Sequence, residues 1–229
     1  NHSEPLSKVA SYKRAVWGIK PRNKEQNCAL SLLMNPDIAL VSLIGKAGSG
    51  KTLCAIAAGL QQSLEETGKP NYSRLIVSRP VQPLGKDIGF LPGTMEEKMA
   101  PWLKPIEDNL KFLMGNDQIT LEMYMESGKI EIEALTYIRG RSISNAFIII
   151  DEAQNLTQHE LKTIITRVGE GTKIVLTGDV EQIDNIYIDE VTNGLTYGVE
   201  KLKSSPITGH ITLRKGERSA LATLAAKKL

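Results

Sequence analysis

Cysteine is nearly absent from this chain: Cys28 and Cys54 are the only two among 229 residues, which argues against a disulfide framework and fits a reducing cytoplasm. Neither belongs to a metal-type pair, and the three histidines (His2, His159, His210) are scattered, so no zinc site is expected. Cys54 falls just after a glycine-rich loop, where a buried thiol is expected. Long apolar runs are missing too. Nothing reaches the length that spans a bilayer, and the opening Asn1-His2-Ser3-Glu4-Pro5 is not a signal peptide, so no membrane partner is expected. A start at Asn1 in place of Met predicts a processed form or a fragment of something longer. Charge of one sign is lacking as well: Lys and Arg total 28 against 26 for Asp and Glu, a formal +2. That balance excludes nucleic-acid binding through a bulk field, so any polyanion contact must come from a local groove or loop. No internal repeat and no low-complexity segment is present.

What is there is concentrated in one stretch. Gly45-Lys46-Ala47-Gly48-Ser49-Gly50-Lys51-Thr52 fills every fixed position of a phosphate-binding loop. Before it, Ile38 to Ile44 reads as a buried strand; after it, Leu53 to Leu60 favours helix. Strand, glycine loop and helix are the context in which backbone N–H groups and a helix N-terminus bind phosphate. Gly45, Ala47, Gly48, Ser49 and Gly50 supply the cradle, Lys51 reaches the β- and γ-phosphates, and the Thr52 hydroxyl holds Mg²⁺. The alternative, a glycine turn capped by Thr52, explains less of the pattern.

The rest of the chain alternates strand with helix. After a polar leader or linker to about Val16, a helix is expected over Lys24 to Leu33 and a strand over Arg74 to Ser78. A Gly- and Pro-rich loop leads to a capping box, Thr94 with Glu97, and a helix that Pro101 and Pro105 should interrupt or kink. Trp102, Ile106, Leu110 and Leu113 recur at helical spacing as a buried face; Met114, Met123 and Met125 read as packing residues of short helices. Strands follow at Ile130 to Ala134, Ala146 to Ile150, Lys173 to Leu176 and Ile207 to Leu213, with helices at Gln158 to Arg167, Asn193 to Lys203 and from Ser219. Strands this continuous in Val, Ile and Leu call for a parallel sheet with helices on both faces, an α/β fold whose ligands bind at the strands' C-terminal edge.

Two further strand ends carry chemistry. The apolar Ala146 to Ile150 stops at Asp151-Glu152: Asp151 is placed to hold Mg²⁺ through its water shell, and Glu152 to deprotonate a water attacking the γ-phosphate. An acidic helix N-terminus is the plainer alternative. The next strand ends in Thr177-Gly178-Asp179-Val180-Glu181-Gln182, where Gln182 can sense the γ-phosphate because its amide both donates and accepts; an ordinary turn explains Gly-Asp equally well.

The set Gly45 to Thr52, Ser78-Arg79-Pro80, Gly89 to Gly93, Arg139-Gly140-Arg141-Ser142, Asp151 to Asn155 and Gly178 to Gln182 resembles the PhoH family of phosphate-starvation-inducible-type ATPases, relatives of superfamily-1 helicases. The resemblance runs from about Trp17 to the last residue, and implies a RecA-like P-loop NTPase domain over 17–229, with ATP and Mg²⁺ as cofactors and RNA as partner. Gly209 to Leu213 and Gly216 to Ser219 resemble the subgroup whose full-length members carry an N-terminal PIN ribonuclease domain; with no PIN-type acidic cluster in view, the ATPase part alone is expected. Gln26 matches the glutamine that reads adenine in superfamily-1 relatives, which implies ATP over GTP; a solvated helix Gln is the lesser alternative. Trp17 either stacks on the base or packs. Arg79, Arg139 and Arg141 are candidates for gripping single-stranded RNA, against a solvated-loop alternative, and Arg218 (with Arg214) for an arginine finger.

Helicases of that superfamily close two cores around ATP, yet only about fifty residues follow Asp179, too few for a second. Either copies of the chain assemble head to tail, as the resemblance implies in a ring of six, or the domain is an ATP-gated regulatory or assembly module that does not translocate. A small-molecule kinase fits less well, given Glu152 and the lack of an arginine-rich lid.

Overall fold

A computed structural model of the chain describes residues 15–64, 70–80, 95–138 and 142–216. Helix α1 (Lys24–Met34) begins where the Asn23 side chain accepts the Gln26 N–H, and it buries Gln26, Ala29, Leu30 and Leu33, one stripe at helical spacing. Then come β1 (Leu40–Gly45), α2 (Lys51–Leu64), β2 (Arg74–Arg79), α3 (Met95–Leu113), α4 (Gln118–Glu126), β3 (Ile130–Ala134), α5 (Leu135–Ile138) and β4 (Ala146–Ile150). A 3₁₀ turn at Ala153–Asn155, α6 (Gln158–Ile165), β5 (Lys173–Gly178), α7 (Gly194–Leu202) and β6 (Thr208–Leu213) complete the order.

The six strands form one sheet, β3-β2-β4-β5-β1-β6, and every ladder in it is parallel. Alternate residues feed two cores. Leu75, Val77, Phe147, Ile149 and Val175 pack with α1, α2 and α3 on one face, whereas Ile76, Ile148, Ile150, Ile174 and Leu176 pack with Leu161, Ile164 and Leu195 on the other. Strands buried on both faces need the unbroken apolar sequence seen here, and the α/β fold expected from it is the one observed. Cys54 lies inside the first core, where burial pushes its thiol up to about 11.

A buried cation ties α1 to this sheet. Lys173 opens β5 almost fully buried, and its Nζ donates to the carbonyls of Leu32 at 3.3 Å, Leu33 at 2.8 Å and Asn35 at 2.6 Å. The end of a helix offers unpaired carbonyls and negative dipole, which is where a lysine belongs. Burial pushes the ammonium down to about 8, with Asp37 pulling the other way.

Two expectations need correction and one open alternative is decided. Of the interruption or kink expected at Pro101 and Pro105, interruption does not occur: α3 runs through both. Both prolines are exposed, while Ile106 and Leu110 are buried in the core. Met123 and Met125 do not pack: they are 62% and 37% exposed, because α4 buries only Leu121 and Met123 falls on the opposite side of the helix. Met114 does pack against the core, as expected. Trp17 is a packing residue, with its Nε1 donating to the Leu113 carbonyl at 3.0 Å. The Thr94 capping box, the loop before it and the helix from Ser219 lie outside the described residues.

Candidate nucleotide-binding site

The loop between β1 and α2 is shaped by its glycines. Gly50 has φ +85°, and a Cβ there would sit 2.9 Å from Gln26 Nε2. At Gly45 a Cβ would meet the Leu213 carbonyl oxygen at 2.5 Å, so β6 closes on the loop only because no side chain intervenes. Behind the loop, Gln26 is buried: its Oε1 accepts the Arg22 N–H at 2.9 Å and its Nε2 donates to the Ser49 carbonyl at 3.0 Å. The expected adenine reader is therefore fixed to the phosphate loop itself.

Parallel pairing brings the other strand ends to the same edge. β5 lies between β1 and β4, with Ile44 in register with Gly178 and Leu176 with Ile150. The residues that follow β4 and β5 must therefore face the loop. Asp151 Oδ1 accepts from Thr52 Oγ1 at 2.8 Å and from Thr177 Oγ1 at 2.5 Å. Glu152 takes left-handed backbone angles, φ 53° and ψ 39°, a local strain that this chain tolerates at the mouth of the site. Its Oε2 accepts from Gln154 Nε2 at 2.6 Å, and its Oε1 lies 3.4 Å from Arg79 Nη2.

Two residues of the site carried no separate signal in the sequence. Gln154, fully buried, donates from Nε2 to Glu152 and to the Gln182 carbonyl at 2.8 Å, and accepts the Asp179 N–H on Oε1 at 3.1 Å. Asp179, also buried, accepts the Ala47 N–H on Oδ2 at 3.0 Å and the Glu181 N–H on Oδ1 at 3.1 Å. Both lie inside the quoted motifs, but their roles come from the closure of strand ends that are distant in sequence. Gln182 reaches this edge by its backbone, with its side chain exposed. Lys46 pairs with Glu181 at 2.8 Å, both exposed, a contact worth little in water. Arg214 is exposed, its N–H donated to Glu25 at 2.7 Å. Arg139, Arg141 and Arg218 lie outside the described residues.

The arrangement suits an anion with a hard divalent ion. Lys51 is buried, and among the described residues no carboxylate pairs with it. The Ser49 hydroxyl is also buried without a partner. A buried ammonium and hydroxyl left so at a glycine loop suit an anionic ligand. The Thr52 hydroxyl and the Asp151 carboxylate are oxygen donors of the kind Mg²⁺ takes alongside phosphate. Among the described residues no group of three or more His, Cys, Asp or Glu could hold a metal by itself, so an ion here would share its shell with the nucleotide and water. No helix among the described residues is long and apolar enough to cross a membrane.

The family described as PhoH-like protein matches residues 18–225. Protein PhoH2 of Bacillus subtilis (strain 168) is 59% identical over 216 residues, 93% of this chain and 48% of the relative. Protein PhoH2 of Thermobispora bispora is 42% identical over 217 residues, 94% of this chain and 48% of the relative. A PhoH-like protein of Bacillus subtilis is 41% identical over 164 residues, 72% of this chain and 49% of the relative. The chain thus spans about half the length of these relatives.

Proposed function

The chain belongs to the PhoH family, and from that premise we propose that it is an Mg²⁺-dependent ATP hydrolase acting as an RNA helicase- or translocase-type motor domain, assembled with copies of itself into a ring. The observation that carries hydrolysis is the joining of Thr52 to Asp151 at 2.8 Å, with Glu152 one residue on. The loop N–H groups and Lys51 bind and orient the triphosphate. Thr52 and Asp151 would hold Mg²⁺, which when bound offsets the charge on the β- and γ-phosphate oxygens. Glu152 takes the proton from the attacking water, and the proton remains on its carboxyl until product leaves. Gln154 keeps that carboxylate in place, and Gln26 favours adenine.

The motor reading rests on family and economy. A single parallel sheet supplies one face of the nucleotide, and a neighbouring copy is the simplest source of the other, with Arg218 as its finger. Steady-state hydrolysis with and without single-stranded RNA at low salt tests it, together with molar mass in solution with and without ATP. Free phosphate as product and stimulation by RNA are expected. Turnover indifferent to any nucleic acid would sink the motor; a phosphorylated metabolite would sink hydrolysis.

A further inference from the structure

Arg79 is the one described cation that touches Glu152, and the sheet explains how it comes to be there. β2 and β4 are neighbours with Ser78 in register with Ile150, and the Asp151 N–H bonds the Ser78 carbonyl at 2.8 Å. The next residue of β2 is therefore level with the start of the Asp151-Glu152 pair. From there the Arg79 guanidinium places Nη2 3.4 Å from Glu152 Oε1 and turns Nη1 toward the Trp102 carbonyl of α3, at 3.4 Å. With Gln154 on Oε2, both oxygens of the base are engaged.

Resting on the hydrolysis reading above, we propose that Arg79 is a positioning residue that latches Glu152, and that a phosphodiester of single-stranded RNA opens the latch by taking the guanidinium. Three observations carry this. The pair binds the base and not the Mg²⁺-type ligand: Asp151 makes its contacts with Thr52 and Thr177. The two side chains are 22% and 25% exposed, so the pair lies at the rim, reachable from solvent. Its contacts are long, at 3.4 Å, whereas a phosphate offers a guanidinium two short parallel bonds. A partly exposed ion pair is weak enough for such an exchange. With Arg79 drawn away, Glu152 keeps its Gln154 contact and gains an oxygen for water. Base and RNA contact thus share one side chain, which couples hydrolysis to occupancy by RNA.

The test uses the chain with Arg79→Ala and Arg79→Gln, assayed for ATP turnover without RNA and with poly(U). The latch predicts that kcat without RNA rises about fivefold, the most one such ion pair is worth, with KM for ATP unchanged. It predicts also that stimulation by poly(U) shrinks toward unity, and that the salt slope of poly(U) binding falls by about one. A rate without RNA that stays level or drops, in whichever variant folds, overturns the latch. Glu152→Gln separates the two claims. Wild-type turnover in Glu152→Gln defeats the assignment of Glu152 as base, on which the latch rests. A silent Glu152→Gln beside an unaccelerated Arg79→Ala defeats the latch alone.

Discussion

Gln154 and Asp179 meet across two strands, side-chain oxygen to backbone N–H at 3.1 Å, although 25 positions separate them in the chain. Through this contact the end of β4 and the end of β5 become one piece. Asp179 then passes the connection on to the phosphate loop at Ala47. Glu152, the end of β5 and the loop between β1 and α2 therefore share a single polar network.

Removing its hub should be felt twice. Gln154→Ala leaves the Asp179 N–H and the Gln182 carbonyl without their partner and frees Glu152. A loss of about 1–3 kcal/mol of stability is expected from stranded buried polar groups. Thermal unfolding should show a midpoint lower by roughly 3–10 °C, and hydrolysis should fall with it. An unchanged midpoint would mean that water replaces the amide at no cost.

The loop and the base should separate binding from chemistry. Lys51→Ala is expected to reduce turnover by about 10²-fold or more by removing a charge from the phosphates. Glu152→Gln should hold nucleotide with near-native affinity while hydrolysis drops by about 10²–10⁴-fold. Titration calorimetry alongside phosphate release distinguishes the two. Normal release from the Gln variant would mean that Glu152 is not the base.

Gln26 should set the choice of base. Replacing it by Ala removes the amide that bonds Arg22 and Ser49, and the preference for ATP over GTP should shrink about tenfold, the scale of one hydrogen bond. Competition between the two nucleotides reads this ratio directly. Equal loss for both would assign Gln26 to the loop's shape alone.

Lys173 should give the fold an alkaline signature. Its folded-state pKa, lowered from 10.5 to about 8, lies below the unfolded value, so between these limits the unfolded chain binds more protons. Stability contributed by this site therefore rises with pH from about 8 and levels off near 10.5, by about 3 kcal/mol in all. Denaturant midpoints of the native chain relative to Lys173→Met should show this rise. A difference flat with pH would mean that the three carbonyls hold the ammonium charged throughout.

The parts legible in the sequence were those written locally. The run Phe147 to Ile150 reads as a doubly buried strand, and Gly45 to Thr52 as a loop between strand and helix, and both are observed. Asp151 and Thr52 followed because each sits at a strand or helix end that a parallel sheet brings together. Arg79 was legible as an ambiguous cation, but its pairing with Glu152 depends on β2 lying beside β4, which no local pattern states. Asp179 read equally well as a turn residue, since nothing nearby announces that Ala47 will need its carboxylate. The prolines of α3 misled for a related reason: propensity counts a lost N–H, whereas the fold counts Ile106 and Leu110.

Lys173 at the head of β5 grips the tail of α1, and Asp179 just past the foot of β5 grips the phosphate loop. The head of α1, through Gln26, grips that loop from behind. Helix, loop and strand thus form a closed circuit of bonds, a truss with no free corner. Bonds from both sides restrain the loop independently of nucleotide, which lowers the ordering entropy that binding phosphate costs.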